Sequence, residues 1–165
     1  MNVYDYMDLF AVAIRDAVTV KDYCIAQFKS GLIIQIDDDS ETPVGSKEAP
    51  YCLLMSTPGS DDSPIAEGNV FNIRVEVGTV VQGDAPYYTE TTSRSATANG
   101  LTKYGQGEKA ADLLDLVITA IKTVTPSDGA QIETVSIDAS GSLLFPLALA
   151  ISNLTISKKQ SLATW

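Results

Sequence analysis

Residues Asn69 to Gln82 alternate apolar and polar side chains for long enough to fix the phase of a β-strand. Because successive side chains of a strand point to opposite faces, the pattern predicts an extended strand with one apolar face. A strand of this length suits the centre of an antiparallel sheet whose apolar face is covered by helices. The predicted apolar face carries Phe71, Ile73, Val75, Val77 and, beyond Thr79, Val81, whereas Asn72, Arg74, Glu76 and Gln82 point mainly the other way.

Two amphipathic helices are predicted to supply that cover. The first, Asn2 to Val18, repeats apolar residues at three- and four-residue steps, with Asn2 as N-cap and Asp5 in the first turn, where the helix dipole favours an anion. The second runs from Gly107 to Val124 and is ended by Pro126. Its apolar stripe consists of Ala110, Leu113, Leu114, Val117, Ile118, Ala120, Ile121 and Val124.

A shorter helix is predicted after the first one. Thr19 and Asp22 have the spacing of a capping box, and Gly31 fits a helix stop. The β-branched and aromatic residues of this segment would also suit a strand, so both interpretations stay open.

Four further segments favour strands. Leu32 to Ile36 predicts a short buried strand, and Tyr51 to Ser56 a second compact strand, with loops rich in proline and glycine after each. Near the end of the sequence, Gln131 to Asp138 and Leu143 to Lys158 predict two strands joined by a turn at Ala139 to Ser142.

The large aliphatic residues of the last strand change phase, which predicts a bulge or strong bend near Ser152 and Asn153. Together the elements predict an α+β fold, a mainly antiparallel twisted sheet of about four to six strands with two main helices packed on one face. We expect a single domain over residues 1–165, with a long polar arm or hairpin extension at 83–107 and a loose tail at 159–165.

The net charge and the types of residue present limit the classes of function that the sequence can support. Twenty-one acidic and eleven basic residues give a net charge of −10, which argues against a protein that coats duplex DNA but suits a wall past which DNA slides. The sequence holds no histidine, the usual general base and zinc ligand. We therefore expect no catalytic residue, cofactor or metal site, and a soluble cytoplasmic protein without a membrane span. Cys24 and Cys52 are expected to be buried reduced thiols.

Two motifs resemble ligand sites. Asp37 to Asp39 lack the alternating ligands and closing glutamate of a calcium loop, so a solvated turn is favoured, while binding of a divalent ion stays open. Gly105, Gly107 and Ala110 have the spacing of a dinucleotide fingerprint, but a polar loop precedes them where that motif requires a buried parallel strand.

The polar arm is the predicted contact surface. Long polar loops often carry function, and the alternative is an idle linker. The candidate interface residues are Tyr87, Tyr88, Arg94 and Tyr104 in the arm and Trp165 in the tail.

The order of the elements resembles the phage tail terminator family, the small neck proteins that cap the tail tube of a siphophage. The local echoes are Ile14 to Ala17, Ala49 to Leu54, the helix at Gly107 to Val124 after a polar arm, and Phe145 to Leu147 before a last strand that ends with Leu154 to Ile156. The resemblance covers most of the chain as a layout of elements.

The resemblance implies a hexameric ring that halts tube polymerisation and presents a surface for head joining. Its partners would be the tail tube protein, a head-completion protein and DNA that passes through the pore without specific binding. Such a protein would work in the host bacterial cytoplasm during assembly and then in the virion tail. The alternatives are another neck or tail-completion protein, an accessory module whose arm binds a peptide or small ligand, and, least favoured, an enzyme that uses carboxylates alone.

Overall fold

The structure is a computed structural model that describes residues 1–37, 50–57, 70–80, 105–144 and 147–158. The five strands within these residues form one sheet in the order β1-β2-β3-β5-β4. The elements in chain order are α1 (Val3–Asp16), α2 (Val18–Phe28), β1 (Ile33–Ile36), β2 (Tyr51–Ser56), β3 (Val70–Val80), α3 (Gly105–Lys122), β4 (Gln131–Leu144) and β5 (Leu147–Ser157).

The strand predicted to be central is the middle strand of the sheet. β3 pairs antiparallel with β2 on one side and with β5 on the other, while β1 adds parallel to β2. On the face of β3 that joins the main core, Phe71 is 2% exposed and Ile73, Val75 and Val77 are fully buried. The predicted α+β fold is confirmed, as a five-stranded, mostly antiparallel mixed sheet with three helices packed on it.

The first helix begins at its predicted cap. The Asn2 side chain accepts the Asp5 N–H at 2.9 Å, and the Asp5 carboxylate accepts the Asn2 N–H at 2.7 Å, which completes a capping box. α1 ends at Asp16 rather than Val18, because Ala17 takes an extended conformation that starts a new helix. Its buried face consists of Val3, Tyr6, Met7, Phe10 and Ile14.

The second predicted segment is a helix, but the predicted caps are wrong. α2 starts two residues earlier than a Thr19 cap allows, because the Ala17 carbonyl already accepts the Lys21 N–H at 3.2 Å. The helix ends at Phe28, and Lys29 rather than the predicted Gly31 closes it, in the left-handed conformation with φ of 58°. Lys29 Nζ donates to the Ala26 carbonyl at 3.0 Å, so this side chain helps to close the last turn.

The third helix includes the last residues of the predicted arm. α3 starts at Gly105, which places 105–107 in the helix, and it ends at Lys122, two residues before the predicted end at Val124. Gly105 and Gly107 are therefore helical and form no phosphate-binding loop. Residues 81–104 lie outside the described part of the chain. As predicted, Ala110, Leu113, Leu114, Val117, Ile118, Ala120 and Ile121 are buried, and Val124 packs beside them.

The prediction that β1 is buried is wrong. This strand is an outer strand of the sheet, and Ile33 is 40% exposed while the other three residues are half-buried. A four-residue strand of aliphatic residues reads as buried from sequence, but its position at the edge leaves one side to solvent.

The predicted turn at Ala139 to Ser142 is also wrong, because β4 continues through these residues. Asp138 pairs with Ile151 and Ser142 with Leu149, so four positions along β4 match two along β5. The irregular register absorbs the extra residues within the strand, and small residues tolerate such a bulge. β4 ends at Leu144 and β5 begins at Leu147, and residues 145–146 lie outside the described part of the chain.

β5 has no bulge at Ser152 and Asn153, contrary to the prediction. Its alternate residues Ala148, Ala150, Ser152, Leu154 and Ile156 are all fully buried, so one phase holds along the strand. The register shift at this level lies instead on β4, between Thr134 and Ser136. The apparent change of phase arose because β5 carries large aliphatic residues on both faces. No helix of the described part has the length and apolarity needed to cross a bilayer.

Candidate assembly surfaces

The outer edge of β4 is the longest open strand edge in the described part of the chain. β4 spans 14 residues, and its inner edge pairs with β5 while no described strand pairs with the other side. Gln131 and Glu133, at its start, are exposed. An edge of this kind presents a row of backbone N–H and C=O groups that can pair with a strand of another chain.

The sheet face opposite the helices carries a second, small apolar cluster. Tyr51, Leu53 and Leu149 are 3%, 5% and 9% exposed, and Met55 packs beside them. Tyr51 lies directly opposite Gly78 on β3, and a Cβ atom at position 78 would overlap the Tyr51 ring. Glycine at this position therefore gives the ring its place on the sheet.

Hydrogen bonds fix the hydroxyl of the Tyr51 ring. Tyr51 Oη donates to Glu76 Oε1 at 2.9 Å, and Arg74 Nη2 donates to Glu76 Oε2 at 2.7 Å. The Glu76 side chain is 13% exposed and the Arg74 side chain 38%. Both carboxylate oxygens are thus engaged and the charges of the ion pair cancel, which leaves the group suited to positioning a surface and poorly suited to proton transfer.

A second group of polar contacts joins α1 to the turn before β4. Tyr6 Oη donates to Asp128 Oδ2 at 2.6 Å, the Ala130 N–H donates to Asp128 Oδ1 at 3.2 Å, and the Met1 amino group lies 3.5 Å from Oδ2. Burial opposes ionisation of Asp128, but these donors outweigh it and lower the pKa of the carboxyl. Burial, followed by the hydrogen bond to Asp128, raises the pKa of Tyr6.

The described residues contain no group of three or more side chains that could hold a metal ion. Of the aspartate run, Asp37 has a φ of 58° and its carboxylate accepts the Ser56 N–H of β2 at 3.4 Å, while Asp38 and Asp39 lie outside the described residues. Divalent-ion binding by the full run stays untested.

Both cysteines are free and buried, as expected. Burial raises the pKa of Cys24 to about 11 and that of Cys52 to about 12. Neither thiol carries the lowered pKa of a reactive nucleophile.

All five predicted interface residues, Tyr87, Tyr88, Arg94, Tyr104 and Trp165, lie outside the described residues, so their role stays a prediction. Sequence reasoning missed the bridge from Tyr51 through Glu76 to Arg74. The available signal was the opposite charge of Arg74 and Glu76 two residues apart on one strand face. No protein-family model and no curated protein matches the sequence.

Proposed function

We propose that this chain is a structural protein of a phage or prophage that caps the tail tube as a hexameric ring. In this role it ends tube polymerisation and forms the surface to which a head-completion protein binds. The support is physical: the α+β fold agrees with the layout that the resemblance implies, and the sheet carries an open edge through which copies can join.

The outer edge of β4 is the observation that carries the proposal. Pairing of this edge with a different surface of the next copy is a heterologous contact, and such contacts close into rings when the rotation between copies allows it. Backbone hydrogen bonds along a 14-residue strand would supply affinity without an extensive apolar patch.

The charge of the chain supports the same role. A net charge of −10 keeps copies soluble until a geometric partner is met, and an acidic channel repels the phosphates of passing DNA. Several exposed acids lie on the helix layer, among them Asp5, Asp8, Asp112 and Asp115. The protein would act sterically. One face of the ring would present the same interface as the tube subunits, and the other face would not bind further subunits.

Proline substitutions at neighbouring positions of β4 test the edge. Alternate residues of an antiparallel strand direct their N–H groups to the same neighbour, so one of Glu133→Pro and Thr134→Pro breaks the ladder to β5 while the other alters only the outer edge. The variant that keeps the wild-type melting temperature is the informative one. We expect it to lose the ring near six times the 17.6 kDa chain in light scattering, with or without tail tubes. A ring that forms unchanged in that variant would overturn the role of this edge.

A further inference from the structure

The sheet has a second open edge, at β1, on the side away from β4. β1 is the other outer strand, and no described strand pairs with its outer side. The Ile33 N–H donates to the Pro50 carbonyl, at the start of β2, at 3.1 Å. Because alternate residues of a strand direct their backbone groups to the same side, the N–H and C=O groups of Ile34 and Ile36 point away from β2.

The same alternation identifies the outward backbone groups of β4. The Thr57 N–H donates to the Asn72 carbonyl at 3.1 Å, so every second residue of β3 bonds to β2 and the residues between them bond to β5. Carried through the register of β3 with β5 and of β5 with β4, this alternation directs the backbone groups of Glu133 toward β5. The backbone groups of Ile132 and Thr134 therefore point to the open side.

The two open edges run in opposite directions. β1 is parallel to β2, and each further step across the sheet, from β2 to β3, β5 and β4, is antiparallel, so β1 is antiparallel to β4. A second copy that continues the sheet in the same orientation therefore sets its β1 antiparallel to β4. Ile34, Ile36 and Ile132 all pack on the helix side of the sheet, so the helices of both copies lie on the same side.

We propose that the outer edge of β4 pairs with the outer edge of β1 in the next copy of the chain. The inference rests on the proposed function for its heterologous contact, and it adds the strand that the β4 edge meets. The register that uses all four outward-directed residues pairs Ile132 with Ile36 of the next copy and Thr134 with Ile34 of the next copy. Each copy then offers one edge and receives the other, as a ring requires.

The helix side of the β4 edge has room for the side chains of that strand. A cleft of about 360 Å³ lies between the end of α3 and the start of β4, and its walls include Val124 and Ile132. Ile36 of the next copy, paired with Ile132, would place its aliphatic side chain at this cleft. Asp37 follows Ile36 and comes within reach of Lys122, an exposed cation that lines the same cleft, so the charges are complementary.

A two-fold pairing of β4 with the β4 of another copy is the competing arrangement. Centred on the same stretch, it sets Glu133 directly against Glu133, and like charges at opposite positions destabilise a pair of strands. In the proposed register Glu133 meets the neutral Gln35, on the sheet face opposite the helices. Pairing of β4 with β4 also leaves β1 open and ends the assembly at two copies, whereas pairing of two different edges continues from copy to copy.

Disulfide cross-linking between copies tests the pairing. Glu133 and Gln35 of the next copy form the close type of pair in an antiparallel ladder, with Cα atoms about 4.5 Å apart, which suits a disulfide. Chains with Glu133→Cys are mixed with chains with Gln35→Cys and oxidised with glutathione disulfide. We expect a covalent dimer in the mixture at roughly ten times the yield of either variant alone. Cys24 and Cys52 are buried, so the introduced thiols are the reactive ones.

Gln27→Cys is the matched control, because Gln27 is an exposed residue of α2, which packs against α1 and α3 and not against the strands. Mixed with Glu133→Cys, it should give no dimer above background, and thermal unfolding should confirm that every variant folds. Equal yield from Glu133→Cys alone would indicate two-fold pairing of β4 and overturn the proposal. Absence of the cross-link at millimolar concentration, with and without tail tubes, would also overturn it.

Tube capping is read separately from the cross-link. A cross-link without capping would support the pairing of the two edges and reject the capping role. Capping by a ring that gives no cross-link would support the proposed function and overturn the pairing of β4 with β1.

Discussion

Tyr6 on α1 donates a 2.6 Å hydrogen bond to Asp128, which lies in the turn between α3 and β4, so one contact joins residues 122 positions apart. We expect Tyr6→Phe to lower the free energy of unfolding by about 1.5–3 kcal/mol, because the acceptor is charged and partly buried. Tyr23→Phe is the control. Its hydroxyl donates to the neutral Lys109 carbonyl at 3.2 Å and only weakly to the Asp112 carboxylate, whose hydrogen bond is the smallest of the causes that raise the pKa of Tyr23, so its loss should cost only about 1 kcal/mol. Urea denaturation of both variants at neutral pH would measure the difference, and equal costs would contradict the charge-assisted bond.

Asp128 should also give the protein a stability limit in acid. Its folded-state pKa lies below its ordinary value, so its contribution to stability is present above about pH 4 and is lost as the pH falls through the folded pKa. We expect Asp128→Asn to flatten the fall in melting temperature below about pH 4. Asp115→Asn, at an exposed position of α3, is the control that should leave the acid limb unchanged. Parallel curves for wild type and Asp128→Asn would contradict this assignment.

Gly78 is expected to be intolerant of any side chain. Gly78→Ala places a methyl group inside the volume of the Tyr51 ring and should destabilise the fold by about 1–3 kcal/mol. Gly31→Ala is the matched control, because nothing lies within 4 Å of a Cβ at that position. Calorimetry of the double variant Tyr51→Ala with Gly78→Ala completes the test. In the Tyr51→Ala background, the loss of stability caused by Gly78→Ala should largely vanish. A loss of stability that persists in full would show that the Tyr51 ring is not its cause.

Thr79 is a fully buried residue of β3 whose hydroxyl has no hydrogen-bond partner in the described structure. Thr79→Val keeps the shape and removes the unpaired hydroxyl, so it should stabilise the protein by about 1 kcal/mol. Thr79→Ser, which keeps the hydroxyl and loses the methyl group, should destabilise it. Denaturant midpoints of the two variants measure the contrast, and a destabilising valine would show that the hydroxyl is satisfied.

The two thiols should be protected until the protein unfolds. Burial holds the pKa of Cys24 near 11 and that of Cys52 near 12, so little thiolate forms at pH 8 and reagent access is blocked. A thiol-specific reagent such as DTNB should react with Cys52 at the rate of global unfolding, and rapidly in denaturant. Fast reaction of Cys52 in the native protein would contradict its burial.

Periodic segments of the sequence were sufficient to predict much of this fold. The alternation of β3 predicted its phase, and the helical repeats with the Asn2 cap predicted α1 almost to its ends. These signals are local, because a strand or helix with one buried face records that face in its own residues.

The errors arose where the environment is set by distant parts of the chain. We predicted a change of phase in β5 because its large aliphatic residues switch faces, but Leu149 packs with Tyr51 and Leu53 on the second sheet face, which depends on strand order. Lys29 closes α2 in a conformation more typical of glycine, and sequence alone favoured Gly31. The candidate interface residues of the arm were chosen by composition, and no described contact tests them.

Electron microscopy of tail tubes, grown from the tube protein of the same genome with and without this chain, tests the central claim most directly. The account predicts a six-fold ring at one end of each tube and tubes that stop lengthening once the ring is bound. Bare tube ends, with growth at the same rate whether or not the chain is present, would contradict it.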